Sequence, residues 1–188
     1  NVTNLLASGD KKATKLDTLM MSLKKKVIED SLLSGKGIYQ FFKVRRDGDQ
    51  LIILDSKTET PIKTFVFPRQ LSGQKLCLTD FINPDQIDTV CFFVVTAGDG
   101  IATTAKKMAD DGLYFESHAL QSIALEAAEG LAELLHQEIR SEWGIPDPNT
   151  ITTDDLFKLN YTGVRVSFGY PACPRLEDQA FQRVRFYW

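Results

Sequence analysis

The chain has 188 residues, of which 43% are hydrophobic, enough for one domain with a core and short for two. Its 22 Lys and Arg residues against 25 Asp and Glu residues give a net charge of −3. This charge argues against a nucleic-acid or membrane surface that binds by electrostatics. The longest purely apolar run, residues 91–95, is far below the roughly 20 residues of a membrane-spanning helix. We therefore expect a soluble protein with a small-molecule or protein partner.

The three cysteines are widely spaced and form no C-x-x-C pair. This pattern argues against a zinc site or a disulfide framework and favours a reducing cytoplasm. The sequence opens at Asn1 without a methionine or a secretory leader, so we expect a piece of a longer protein rather than a secreted precursor.

The first half of the sequence predicts one helix and three strands. Apolar residues recur at helical steps over residues 15–33, and Gly35 and Gly37 follow, which is typical of a helix end. The segments "GIYQFFKVRR" and "LIILDS" flank an Asp47-Gly48 turn and predict an antiparallel hairpin. The segment "IKTFVFPRQ" predicts a third strand that stops at Pro68.

The second half predicts a strand, a helical stretch after the glycine loop that follows it, and two further helices. The apolar run in "DTVCFFVVT" indicates a strand buried on both faces. A helical stripe over residues 115–143 predicts a long helix, and Thr152 and Asp155 are spaced as a capping box for a short one. Because strands and helices do not alternate regularly, the predicted class is α+β with an antiparallel sheet. A doubly wound nucleotide-binding fold is the competitor.

The glycine loop "TAGDGIAT" invites a dinucleotide-binding interpretation, but Thr103 stands where the fingerprint needs a third small residue. A structural role for these glycines is favoured. His118 and His136 lie 18 residues apart on the long predicted helix, about 27 Å along its axis. They cannot share a metal ion or a proton, and we expect His136 to interact with the negative end of the helix.

Two carboxylates remain open in interpretation. Asp80 lies between apolar residues in "LCLTDFINP", where it either caps a turn or accepts a cation or an amine, and the cap is favoured. Glu129 lies on a flank of the long helix, where a glutamate is usually solvated unless a positive group faces it.

The segment "YTGVRVSFGYPACP", residues 161–174, is too irregular for a strand or a helix. Gly169 permits close approach of a ligand to the main chain, and Arg165 supplies a charged fork suited to a carboxylate. Tyr161 and Tyr170 add flat amphipathic surfaces. A tight surface loop explains the same composition, which leaves the two interpretations near even.

Several motifs, in order, resemble one family. "GVRVSFGYPACP" is similar to the R-P-A-P-G-Y-P-A-C-P segment of the activation domain of cobalamin-dependent methionine synthase. "GIYQFFKV", "FPRQ", "LCLTDFINP" and "AAEGLAELLHQEIRSEWG" resemble further segments of that domain, the last being its long helix with L-H-x-x-(I/V)-R. The resemblance runs from about Leu16 to Gln179.

The resemblance implies a helmet-shaped α+β domain around a curved antiparallel sheet, with S-adenosylmethionine in a shallow groove. It implies that Arg165 meets the methionyl carboxylate and Asp80 the methionyl ammonium. Gly169 and Tyr170 would meet the adenosyl portion, and Glu129 matches a helix glutamate at the family's site. Val166 and Ser167 complete the segment whose main chain would hold the ligand.

The sequence departs from the family in two places. Val166, Ser167 and Phe168 replace Pro-Ala-Pro, so a bulky ring stands where a proline is expected. The sequence also stops at Trp188, before a further helix and strands of the family's domain, so we expect the C-terminal part of the domain to be missing.

The resemblance implies a reactivation module, a methyltransferase component that is not catalytic alone. It would present the methyl group of S-adenosylmethionine for reductive methylation of cob(II)alamin held on another domain or chain, in methionine biosynthesis. Its partners would be that cobalamin-binding domain and flavodoxin or an equivalent reductant, with no nucleic acid, membrane or bound metal. The alternative is a non-catalytic ligand-sensing or interaction module with the same fold.

Overall fold

The computed structural model describes residues 2–186, which form two compact units. The helical unit comprises residues up to 37 and residues 95–134, and the sheet unit comprises residues 38–94 and those from 135 onward. The helices in the described part of the chain are α1 Val2–Ala7, α2 Lys11–Glu29, α3 Ile101–Asp110, α4 Tyr114–Glu142, α5 Thr153–Phe157 and α6 Ala180–Phe186. The strands are β1 Lys36–Asp47, β2 Gln50–Leu54, β3 Pro61–Val66 and β4 Asp88–Thr96. Leu78–Phe81 and Leu176–Gln179 form short 3₁₀ turns.

The helical unit is built around the apolar stripes of α2, α3 and α4. Its buried core consists of Leu23, Val27, Ala105, Ala119 and Leu120. The predicted first helix is confirmed, but it begins earlier because the Asp10 side chain accepts hydrogen bonds from two amides of its first turn. It also ends earlier than predicted, at Glu29, and the chain then continues without helical structure to β1.

The glycine loop between β4 and α3 is a close-packed turn of the helical unit. Gly98 has φ 120°, and a Cβ atom there would lie 2.7 Å from the main-chain nitrogen of Ser34. The Ser34 amide in turn donates to the carbonyl of Ala97 at 2.9 Å. Gly98 is therefore required by the approach of another main-chain segment, in agreement with the structural interpretation of this loop.

The sheet unit contains a four-stranded open antiparallel sheet in the order β3-β2-β1-β4. The predicted hairpin is confirmed, with Val44 opposite Ile53 and Asp47 opposite Gln50. The third predicted strand is β3, which pairs antiparallel with β2 and places Leu51 opposite Phe65. Such pairing is incompatible with the all-parallel core of a doubly wound fold, so the α+β prediction is confirmed.

Aromatic side chains fill one face of this sheet. Phe65 is fully buried and Phe42 is 6% exposed, and both contact Phe92 of β4, with ring centroids 5.7 and 5.6 Å away. The prediction that β4 is buried on both faces is wrong, because every residue of the strand is only half-buried. The physical reason is that β4 lies at the end of the strand order. Among the described strands it has a neighbour on one edge alone, so the other edge leaves its residues partly exposed.

Two further predictions about helices are confirmed. The long helix is α4, with 29 residues, and it contributes to both units of the chain. Thr152 caps α5, where its hydroxyl accepts from the amide of Asp155 and the Asp155 carboxylate accepts from the amide of Thr152. No helix within residues 2–186 combines the length and the apolar character that crossing a bilayer requires.

The glycine loop allows a matched test of close packing. Gly100 also has positive φ, 89°, but a Cβ there would meet nothing within 4 Å. We expect Gly100→Ala to lower the free energy of unfolding by about 1–2 kcal/mol through backbone strain alone. Gly98→Ala should lower it by a further ~1–3 kcal/mol because the methyl group overlaps the Ser34 main chain. Chemical denaturation of both variants measures this difference, and equal losses would contradict the steric role of Gly98.

Candidate functional site

The segment predicted to be irregular, residues 161–174, contains neither helix nor strand in the structure. Its second half closes on itself through main-chain hydrogen bonds. The Gly169 amide donates to the carbonyl of Cys173 at 2.9 Å, and the Cys173 amide donates to the carbonyl of Tyr170 at 2.9 Å. The Cys173 thiol also donates to the carbonyl of Ser167 at 2.8 Å. Part of the polar main chain is thus satisfied within the loop.

Gly169 is the turning point of this loop. Its φ of 98° belongs to the left-handed region, and an added Cβ would lie 2.9 Å from Cδ2 of Leu176. Around it, Tyr170 is 62% exposed and Val166 is 48% exposed, and Ser167 is also exposed. The loop therefore presents main chain and a flat aromatic ring to solvent, as a site for a flat polar ligand would require.

Phe168 faces away from this exposed surface. Its ring is half-buried and packs on the core of the sheet unit, 5.9 Å from the Phe65 centroid and 6.4 Å from the Phe92 centroid. The bulky ring at the expected proline position therefore attaches the loop to the sheet. It stabilises the loop through apolar packing, where proline would do so by restricting φ.

Arg165 lies in the first half of the same segment, between the exposed side chains of Val164 and Val166. It is half-buried. Five of the predicted site residues, Arg165, Val166, Ser167, Gly169 and Tyr170, are thus brought together by one short piece of chain. The adjacency follows from sequence, but the loop conformation that exposes four of them does not.

Asp80 lies in the 3₁₀ turn Leu78–Phe81, where its carboxylate has several partners. One oxygen accepts from the amide of Cys77 at 2.9 Å and from Arg69 at 2.7 Å, and the other accepts from Arg69 at 2.9 Å. The guanidinium of Arg46 lies 3.5 Å from the second oxygen. The bonds from Arg69, aided by the Cys77 amide, lower the pKa of the Asp80 carboxyl to about 2. The capping interpretation of Asp80 therefore describes the structure.

Arg69 of the "FPRQ" segment connects Asp80 to a second carboxylate. It donates to Oδ1 of Asp49 from Nε at 3.0 Å and from Nη2 at 2.6 Å, and to the carbonyl of Lys75 at 2.8 Å. Two arginines thus balance two aspartates in this network. Sequence reasoning missed Arg69 and Arg46 as partners of Asp80, although the "FPRQ" motif was a signal for the former.

Glu129 lies on α4 within the helical unit, whereas Asp80 and Arg165 belong to the sheet unit. Glu129 is exposed to solvent. Its family-based assignment to the ligand site stays a prediction.

A buried polar cluster in the sheet unit was also missed by sequence reasoning. Arg140, on the last turn of α4, is only 1% exposed. Its Nε donates to Oδ1 of Asp147 at 2.9 Å, its Nη2 donates to the other oxygen, and Gln137 donates to the same carboxylate at 3.2 Å. The guanidinium of Arg140 lowers the pKa of the Asp147 carboxyl. This bidentate geometry is the arrangement that makes a buried arginine tolerable.

The same cluster contains His136 and Tyr161. Nη1 of Arg140 lies 2.7 Å from Nδ1 of His136, and since arginine has no acceptor, Nδ1 accepts and the imidazole proton resides on Nε2. The expected interaction of His136 with the helix end stays a prediction, and the structure gives His136 this bond to a side chain of its own helix. The ring of Tyr161 lies 4.0 Å from Cζ of Arg140. The sequence signal for this cluster was the spacing of four residues between His136 and Arg140 in the segment L-H-x-x-I-R.

Other chemistry-bearing groups do not assemble into a site in the described ranges. Residues 2–186 hold no group of three or more His, Cys, Asp and Glu side chains placed to bind a metal ion. Cys77 and Cys173 are buried free thiols, and Cys91 is half-buried. Burial raises the pKa of the Cys91 thiol to about 12, so this cysteine is a poor nucleophile.

The architecture is that of a methionine synthase reactivation domain. A solved structure titled "Crystal Structure of the MetH Reactivation Domain bound to AdoHcy" matches with a TM-score of 0.81 and 26% identity. The match covers 92% of this chain and 56% of that one. The family model "Vitamin B12 dependent methionine synthase, activation domain" matches residues 7–182. The chain belongs to this family of activation domains.

Curated relatives agree with this assignment. Methionine synthase of Mycobacterium tuberculosis is 33% identical over 158 residues, and that of Mycobacterium leprae is 32% identical over 157. Each match covers 76% of this chain and 13% of the relative. The chain therefore corresponds to a small part of the length of these relatives.

The inward-facing ring of Phe168 leads to a prediction about loop stability. Phe168→Pro removes the contacts with Phe65 and Phe92, which for a half-buried ring should cost about 2–3 kcal/mol, and returns only about 0.4–1 kcal/mol through the unfolded state. We expect a net loss in free energy of unfolding, measured by chemical denaturation.

The matched control is Phe168→Leu, which keeps most of the apolar volume and should cost less than about 1.5 kcal/mol. A Phe168→Pro variant as stable as the natural chain would show that the ring does not hold the loop on the sheet.

Proposed function

We propose that this chain is the reactivation module of a cobalamin-dependent methionine synthase and that it binds S-adenosylmethionine on the segment 161–174. The module is cytoplasmic and spans residues 1–188 as one functional domain. The observation that supports this most strongly is the exposed main chain around Gly169, in a family whose solved relative has AdoHcy bound. AdoHcy differs from the proposed ligand by one methyl group.

The exposed loop suits a ligand with a carboxylate at one end and a flat base at the other. Arg165 is assigned to the carboxylate, because its planar guanidinium can donate two parallel hydrogen bonds. Val166, Ser167 and Gly169 are assigned main-chain contacts with the ligand. The Gly169 amide and the Ser167 carbonyl already take part in bonds within the loop, which hold this main chain in place. The exposed ring of Tyr170 is assigned to the adenosyl portion, which it can contact face to face.

Asp80 is assigned to the ligand ammonium, and its present partners limit how strongly it can bind that group. Its carboxylate is deprotonated at neutral pH and its side chain is 28% exposed, so a negative oxygen surface is accessible. Arg69 and Arg46 already neutralise most of its charge. An ammonium would thus share a satisfied carboxylate, and we expect Asp80 to contribute less binding energy than Arg165.

Glu129 is assigned to the site on the family resemblance alone. Its position on the regular helix α4 gives it a fixed main-chain position. A glutamate there would favour a cationic ligand such as a sulfonium through its charge.

The chemistry needs positioning more than proton transfer. S-adenosylmethionine supplies an electrophilic methyl group when bound, for the reductive methylation of cob(II)alamin carried by another domain. This chain's residues hold the ligand in one orientation and exclude water from one of its faces. Its partners are the cobalamin-binding domain and flavodoxin or an equivalent reductant. As part of a methyltransferase it needs no nucleophile or general base of its own.

The assignment of Arg165 is directly testable. Arg165→Ala should weaken the binding of S-adenosylmethionine by about 1.5–3 kcal/mol, the range for a lost hydrogen bond to a charged group. Isothermal titration calorimetry measures the affinity, and thermal melts verify folding. The control is Arg45→Ala, which removes an exposed arginine of β1.

An unchanged dissociation constant in Arg165→Ala, with binding intact, would remove Arg165 from the site. An equal loss in Arg45→Ala would assign the effect to net charge. Absence of binding by the natural chain would instead favour the alternative function, a non-catalytic interaction module.

A further inference from the structure

The side chain of Arg140 packs against the start of the segment 161–174, which is the proposed ligand-binding segment. The Tyr161 ring lies over its guanidinium, and a Cβ at Gly163 would lie 3.4 Å from its Cδ atom. Two residues of the segment therefore rest on one buried side chain. Val164 alone separates this support from Arg165.

The support is rigid because every part of it is fixed. Arg140 is 1% exposed and Asp147 is 5% exposed, so their bidentate pair is shielded from water and salt. Nη1 of Arg140 donates a hydrogen bond to His136. The His136 ring contacts the Tyr161 ring edge to face, with centroids 5.6 Å apart. A desolvated cation–π contact of this kind is stronger than one on the surface.

We propose that Arg140 and Tyr161 are positioning residues that pre-organise the segment for its ligand. Neither side chain is assigned to the ligand itself. The contact fixes the main chain at residues 161–163 and thereby limits the directions in which Arg165 can project. Because a loop that is ordered before binding pays less entropy on binding, losing this contact weakens affinity. The inference rests on the proposed function for its ligand, but its structural part does not.

A second, distant attachment makes the proposal testable without unfolding the sheet unit. The far half of the loop is held by Phe168 on the sheet and by the bonds between Gly169 and Cys173. Loss of the Tyr161 ring should therefore loosen the segment while the core around Phe65 stays intact. A merely structural role of Tyr161 would lower global stability and leave the affinity of the folded fraction unchanged.

The experiment compares three variants by calorimetric titration with S-adenosylmethionine. Tyr161→Leu removes the ring, and we expect a dissociation constant roughly 3- to 30-fold higher, the range of cation–π contacts from exposed to desolvated sites. Tyr161→Phe keeps the ring over Arg140 and should stay within about twofold of the natural chain. Tyr114→Leu makes the same change at a residue that is 67% exposed at the start of α4, and should leave affinity unchanged.

A readout without ligand separates this inference from the proposed function. Amide hydrogen exchange over residues 162–165 should be several-fold faster in Tyr161→Leu, with exchange at Gly169 and Cys173 and in β1 and β2 unchanged. If the natural chain does not bind S-adenosylmethionine, the proposed function fails, and the exchange result still decides whether Tyr161 orders the loop.

Gly163→Ala is the second variant, should Tyr161→Leu not fold. It strains the same segment beside Arg140, because alanine rarely adopts the φ of 103° found at Gly163, and it should raise the dissociation constant and the exchange rates in the same direction. Unchanged affinity and exchange in folded Tyr161→Leu or Gly163→Ala would overturn the proposal. So would an equal loss of affinity in Tyr161→Phe.

Discussion

The sheet unit depends on one buried ion pair, between Arg140 at the end of α4 and Asp147 in the turn that follows. A buried charge is tolerable only when it is paired and hydrogen-bonded, and Asp147, Gln137 and His136 meet that condition together. Removing either charge would leave the other uncompensated, which typically costs about 3–5 kcal/mol. Arg140 also lies against the ring of Tyr161, 4.0 Å from its centroid, and this is the contact that we propose orders the following segment.

That segment is then held at a second point by Phe168, whose ring joins the aromatic core on the sheet. Between these two attachments, Arg165, Val166 and Ser167 are held without regular secondary structure. The result is an ordered loop with accessible main chain. A ligand that contacts main-chain groups needs this combination, because a loop that is ordered before binding pays less entropy on binding.

Much of the fold was predictable because local signals decided it. The Asp47-Gly48 turn, the long apolar stripe of α4 and the Thr152 cap each act within a few residues. Contacts between distant residues were not predictable. Arg69 reaches Asp80 across eleven residues, Phe168 meets Phe65 across more than a hundred, and Arg140 meets Tyr161 across a turn and a short helix. The sequence thus indicated the loop residues of the proposed site, whereas the partners that set their geometry required the structure.

The main chain around Gly169 is the surface that we propose binds the ligand in this activation domain. Nuclear magnetic resonance titration of the ¹⁵N-labelled chain with S-adenosylmethionine tests this proposal most directly, since each amide reports its own environment. We expect saturable shifts of the Val166, Ser167, Gly169 and Tyr170 amides, with small shifts at exposed positions of α2. Saturable shifts confined to other parts of the chain, or no shifts at millimolar ligand, would contradict this proposal.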